Sequence, residues 1–94
     1  MDDSRSTIVR VELSGEYDMT RKDELAALFD TLDGEGAVII DMTNVTYIDS
    51  TVLRELAALS LRSAKRAITL AGVNPQIRHI LKAVDFDKIF AITE

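Results

Sequence analysis

The chain has 94 residues, 47% of them hydrophobic and 29% charged, which fits one folded domain with a modest core and excludes a chain disordered as a whole. Eleven basic residues against sixteen acidic ones leave a net charge of −5, so a phosphate backbone is repelled and nucleic acid is set aside as a partner. There is no cysteine and only one histidine, His79, which removes disulfides, thiol nucleophiles and most structural metal sites.

The longest apolar run is Ala37-Val38-Ile39-Ile40, far short of the roughly 20 residues a membrane helix needs. Met1-Asp2-Asp3-Ser4-Arg5-Ser6 is acidic and polar, unlike a secretory leader. The expectation is a cytoplasmic protein without membrane insertion.

Thr7 to Leu13 alternates, with Val9, Val11 and Leu13 on one face, as in a strand buried on one side. Ser14-Gly15-Glu16-Tyr17-Asp18 breaks the pattern. Thr20 is the expected N-cap of a first helix, whose stripe is Leu25, Leu28, Phe29 and Leu32 and which Gly34 and Gly36 end. Ala37 to Ile40 reads as a strand covered on both faces. Asp41 to Thr46 is polar, and Tyr47-Ile48 is a short apolar return. Asp49-Ser50-Thr51 supplies three capping residues before a second helix over about Thr51–Lys65. Arg62, Lys65 and Arg66 complement its dipole. Ala67–Ala71 is a third strand, closed by Gly72. Asn74 caps a third helix with Pro75 in its first position and Ile77, Ile80, Leu81 and Val84 as its stripe. Ile89–Ile92 is the last strand. The order β-α-β-α-β-α-β predicts an α/β fold, a small and mainly parallel sheet of about four strands with three helices. No repeat or linker interrupts it, so 1–94 is one domain, with 1–6 as a flexible tail.

Sites in such sheets lie where strands end and helices begin. Here that place is Tyr47–Thr51. Ser and Thr at a helix start are commonly caps and nothing more. Three in a row exceed what one helix end needs, and a serine beside free N–H groups tolerates a phosphate. Glu16 and Asp18 read as a carboxylate pair for acid–base work or, better, as solvated or capping groups. His79 reads as a surface helix residue. The residues thus reach a small acidic interaction domain with a phosphorylatable serine. It is expected to need no cofactor or metal and to be a binding module rather than an enzyme.

Leu13-Ser14-Gly15-Glu16-Tyr17-Asp18, followed by the segment from Val38-Ile39-Ile40-Asp41 to Tyr47-Ile48-Asp49-Ser50-Thr51, resembles the STAS domain of bacterial anti-sigma factor antagonists. Asn74-Pro75 and Asp85-Phe86-Asp87-Lys88-Ile89-Phe90 resemble the family's last helix and strand. The resemblance spans about Thr7 to Ile92. It implies that an anti-sigma factor serine kinase binds the unmodified chain and phosphorylates Ser50, and that a phosphatase resets it. Thr51 is implied as a secondary phosphosite, and Glu16, Asp18, Asp49, Ser50, Thr51, Val52 and Leu53 as the partner-binding surface. The sequence departs from the family pattern after Thr51, where Val52-Leu53-Arg54 replaces Gly-Leu-Gly. Little room exists for an extra edge strand before Thr7 or an end helix after Ile92, which predicts exposed sheet edge and an obligate partner or homodimer. The alternatives are an unphosphorylated STAS scaffold, as a stressosome-type or lipid-transport ATPase subunit, and, third, a small hydrolase using Ser50.

Overall fold

The computed structural model of the chain describes residues 8–32, 36–63 and 66–94. The elements are β1 (Ile8–Tyr17), α1 (Lys22–Asp30), β2 (Gly36–Ile48), α2 (Ser50–Arg62), β3 (Arg66–Ala71), α3 (Pro75–Ala83) and β4 (Ala91–Ile92), with short 3-10 turns at Met19–Arg21 and Phe86–Lys88. The four strands form one parallel sheet in the order β1-β2-β3-β4. Sequential order with right-handed crossovers puts every helix on the same face of the sheet. Burial agrees with that arrangement. Val38, Ile40, Ile68 and Leu70 are buried, whereas Arg10, Glu12 and Ala67 on alternate positions are exposed. The core joins those strand residues to Leu25 and Phe29 of α1, Val52, Leu56 and Leu59 of α2, and Ile77 and Leu81 of α3. This is the expected α/β architecture, built in two layers. Val38 and Ile40 are buried under the helices while Ala37 and Ile39 on the other face are only half-buried, so the apolar run is not covered on both faces as expected. Among the described residues no helix is long and apolar enough to cross a membrane.

The largest departure from the sequence reading is β2. It continues through the polar stretch Asp41–Thr46 to Ile48. Two extra residues on β2 break its alternation: Glu12 and Ser14 pair with Asp41 and Asn44, and Gly15 and Glu16 pair with Val45 and Tyr47. These are β-bulges, which bend a strand and reset the face that each side chain meets. Met42, Val45 and Ile48 are therefore buried at a spacing of three. The first bulge is held by Asp41, whose Oδ1 accepts from the Thr43 N–H (2.9 Å) and hydroxyl (2.6 Å). Gly72, at φ +69°, lies so close that a Cβ there would meet Thr43 Oγ1 at 2.1 Å. Only glycine fits that approach.

β1 likewise runs past Leu13 to Tyr17. The last strand shrinks to Ala91–Ile92, because Phe86–Lys88 turns as 3-10 and leaves Ile89 exposed. Val84 falls outside α3 and is exposed, so it leaves the expected stripe. Asn74 caps α3 as expected, accepting from the Ile77 N–H at 2.8 Å. The tail 1–6, Gly34 as helix terminator and Lys65 as helix end lie outside the described residues.

Candidate functional site at the strand ends

β1 and β2 end side by side. Glu16 is opposite Tyr47, and Tyr17 opposite Ile48. The next residue on each strand is an aspartate that starts a helical turn. Asp18 (φ −122°, ψ −169°) caps the 3-10 turn and accepts from the Thr20 N–H at 2.9 Å. Asp49 (φ −123°, ψ −169°) caps α2 and accepts from the Thr51 N–H at 2.8 Å. Both are Asp-x-Thr turns in which a carboxylate satisfies an N–H that has no partner within the helix. Thr20, expected as the cap, instead donates its hydroxyl to Asp18, and α1 begins at Lys22 without a side-chain cap. The Thr20 hydroxyl, then its N–H, hold the Asp18 carboxyl below its ordinary value of 3.8.

Ser50 is the first residue of α2 and is exposed. Of the three capping candidates, Asp49 does the capping, which leaves the serine hydroxyl with no hydrogen bond among the described residues. The other expected partner-contact residues divide sharply. Glu16 is exposed and Asp18 half-buried. Thr51 is only 9% exposed and Val52 only 1%. Val52 belongs to the core beneath the site, and the buried Thr51 is ill placed as a second phosphoacceptor. Both corrections come from helix geometry: the apolar stripe Val52, Leu56, Leu59 must face the sheet, and Thr51 is carried inward beside it. Leu53 is half-buried and packs on that core.

The surface that remains around Ser50 includes residues the sequence reading passed over. Tyr47, opposite Glu16, is 51% exposed, and Met19, just after Asp18, is 73% exposed. Arg54, one turn along α2 from Ser50, is exposed on the same side of the helix. Arg21 organises the neighbouring turn. Its guanidinium donates to the Ser14 carbonyl (2.7 Å) and the Glu16 carbonyl (3.2 Å), and through Nε and Nη2 to both Glu24 oxygens (3.1 and 2.6 Å). It also lies 3.8 Å above the Tyr17 ring. Its hydrogen bonds, and then its charge, hold the Glu24 carboxyl below the usual range. The spacing of Arg21 and Glu24 at i, i+3 was the available sequence signal. Gly15, at φ +84°, lets β1 turn under that guanidinium.

His79 is exposed on α3 and shares no hydrogen bond with Ser50. Among the described residues no group of three His, Asp or Glu side chains converges to hold a metal. A cleft lined by Arg78, Lys82, Asp87, Phe90 and Ile92 lies at the β4 edge, and no residue of the Ser50 turn lines it.

The family model described as Mlab, STAS domain, matches residues 1–93. Among solved structures, the crystal structure of a sulfate transporter family protein from Wolinella succinogenes has the same fold, with a TM-score of 0.76 and 19% identity over 98% of this chain and 87% of that chain. A search of curated proteins gave no match. The family match over almost the whole chain agrees with the parallel sheet and its three helices: the chain belongs to the STAS-domain family.

Proposed function

We propose that the chain is a regulatory binding module of the anti-sigma factor antagonist type, which binds an anti-sigma factor serine kinase and is switched by phosphorylation of Ser50. The observation that carries this reading is the position of Ser50. It is exposed, it opens α2, and Asp49 has already satisfied the cap, so its hydroxyl can be modified without loss of a structural hydrogen bond. The burial of Val52 supports the same reading, because its branched side chain points into the core and does not crowd the serine. A phosphate adds about −1.5 to −2 charge at pH 7. Beside Glu16, Asp18 and Asp49 it would turn a mixed apolar and acidic surface, with Tyr47 and Met19 exposed, into a strongly anionic one. A partner that packs on Tyr47 and Met19 would be expelled. A coupling of about 1–3 kcal/mol is enough for such a switch.

The test is binding of Ser50→Ala and Ser50→Asp to candidate serine kinases, with intact mass after incubation with kinase and ATP. Retained binding by Ser50→Ala, loss with Ser50→Asp and one phosphate mapped to Ser50 support the switch. Equal binding by both variants, with no phosphate gained, ends it.

One observation favours a second reading, a STAS scaffold that does not switch. Arg54 lies one turn after Ser50, so a phosphate there would pair with it and its repulsion would be blunted. A subunit of a stressosome-like or lipid-transport ATPase complex would use the same Tyr47–Met19 surface permanently. Recovery of an ATPase or a large homo-assembly in place of a kinase, with binding indifferent to Ser50→Asp, separates the two.

A further inference from the structure

The two edges of the sheet differ. Edge strands present unpaired N–H and C=O groups, which folded proteins blunt by shortness, proline, lysine or bulges. β4 obeys this rule by being two residues long. β1 does not. It is ten residues long and outermost in the order β1-β2-β3-β4, so among the described residues no strand pairs with its outer edge. Ile8 to Leu13 contains neither proline nor lysine. Its register with β2 is regular from Ile8 to Glu12, and the extra residues beyond that point belong to β2.

We infer that two copies of the chain pair antiparallel through the outer edges of β1, about a two-fold axis at Val11. The charges select both the partner and the register. Arg10 and Glu12 are two residues apart, so they share a sheet face, and both are exposed. In an antiparallel pair, opposed residues also share a face. Centring on Val11 sets Arg10 against the partner's Glu12, twice by symmetry, and Val9 against the partner's Leu13. Centring on Arg10 opposes two arginines, and centring on Glu12 opposes two glutamates. Only the Val11 register matches opposite charges, and only a second copy carries the matching pattern in reverse. Arg10 already pairs with Asp41 of its own chain through one nitrogen. The rest of its fork is exposed and can reach the partner's Glu12. The product is an eight-stranded sheet with both helix layers on one face. The opposed stretch Val9–Leu13 stops short of Glu16, the β1 residue that belongs to the switch surface, so the pairing leaves Ser50 accessible.

Sedimentation or light scattering over a concentration series tests the inference. The parent is expected to dimerise. Arg10→Glu and Glu12→Arg are each expected to weaken the dimer at least tenfold, because each sets like charges together twice. An equimolar mixture of the two variants is expected to restore a dimer, since every opposed pair is then of opposite sign. Because the chain has no cysteine, a single Val11→Cys substitution reports the register independently. Directly opposed Cα atoms lie about 4.5–5.5 Å apart, within disulfide reach. Oxidised Val11→Cys chains should therefore link, while Val9→Cys chains, offset by four residues, should not. A parent that stays monomeric overturns the inference. So does a dimer that both charge reversals leave intact, or one in which Val9→Cys links as well as Val11→Cys. Circular dichroism identifies any variant that fails to fold. If Arg10→Glu unfolds through its contact with Asp41, the two cysteine variants decide the outcome.

Discussion

The ends of β1 and β2 are built from the same local motif and do different work. Asp18-Met19-Thr20 and Asp49-Ser50-Thr51 turn with nearly identical aspartate backbone angles and the same carboxylate-to-amide bond. Their continuations differ. After Asp18 the chain makes a 3-10 turn and Arg21 folds back to tie it to β1 through two carbonyls and an aromatic ring. After Asp49 the chain enters α2 directly, and Val52 anchors it from beneath. The first turn is locked from outside by a cation. The second is locked from inside by packing, which leaves its outer face, with Ser50, free. A serine is useful as a switch where the turn beneath it needs no help from its hydroxyl.

That contrast can be broken in several ways, of which the largest is Val52→Ala. Removing two buried methyl groups and leaving a cavity should cost about 2 kcal/mol. For a domain of this size each kcal/mol lowers the melting midpoint by about 4–8 °C, so calorimetry will resolve it. Truncating the exposed Leu61 should do far less. Asp49→Ala removes the cap of α2 and should cost about 1 kcal/mol. Asp18→Ala should cost less, because Arg21 still holds its turn. A larger drop for Asp18→Ala in chemical denaturation would reverse the contrast.

Arg21→Met should loosen the β1 turn alone. Amide exchange should quicken at Ser14 to Tyr17 and stay unchanged in α2, and uniform quickening would show that the two turns are one unit. Acid should act through Asp18 and Asp41. Hydrogen bonds from Thr20 hold Asp18, and those from Thr43, with help from Arg10, hold Asp41, below the ordinary 3.8. Their folded pKa values lie under the unfolded ones, so the stability they add is fully present above about pH 4 and is lost as pH falls through the folded values. Melts from pH 6 to pH 2 should show that decline, and Asp41→Asn should flatten it. The smallest effect on stability is expected for Ser50→Asp, within about 0.5 kcal/mol, since a negative charge suits a helix start. Its effect should fall on partner binding.

Much of the fold was legible because periodicity reports burial. Leu25 and Phe29, Ile77 and Leu81, and the run Val38–Ile40 announced two helices and a central strand, and Asn74-Pro75 marked a helix start. The stretch Asp41–Thr46 was not legible as strand. Two bulges moved its buried residues to a spacing of three, which matches neither two nor 3.6, and its polar residues bond to the bulge itself. The end of the chain misled for a related reason: Ile89 is apolar yet lies on a turn. Within the site, the Asp-Ser-Thr segment singled out Ser50, but spacing alone could not tell which of the three residues would cap. Asp49 took that role because its carboxylate reaches the second amide of the helix, while Thr51 and Val52 were turned inward by the stripe that α2 must bury. Arg21 was missed because its bonds to Ser14 and Glu16 exist only after β1 has bent at Gly15.

The in-order sheet also shapes how the nascent chain matures. Each strand pairs with the strand made just before it, so no segment waits for a partner that is synthesised later than its own neighbour. The β1–α1–β2 unit is complete once Ile48 has emerged, and it already holds the long pairing along β1. α2 and β3 then extend a template that exists. β4 comes last of the four strands, and the backbone bonds from Val73 to Thr93 and from Thr93 to Leu70 fasten it to an assembled layer. At ribosomal speeds of about 5–20 residues per second, pairing within the first half has seconds to settle before the second half docks, and folding can keep pace with translation from one end of the sheet to the other.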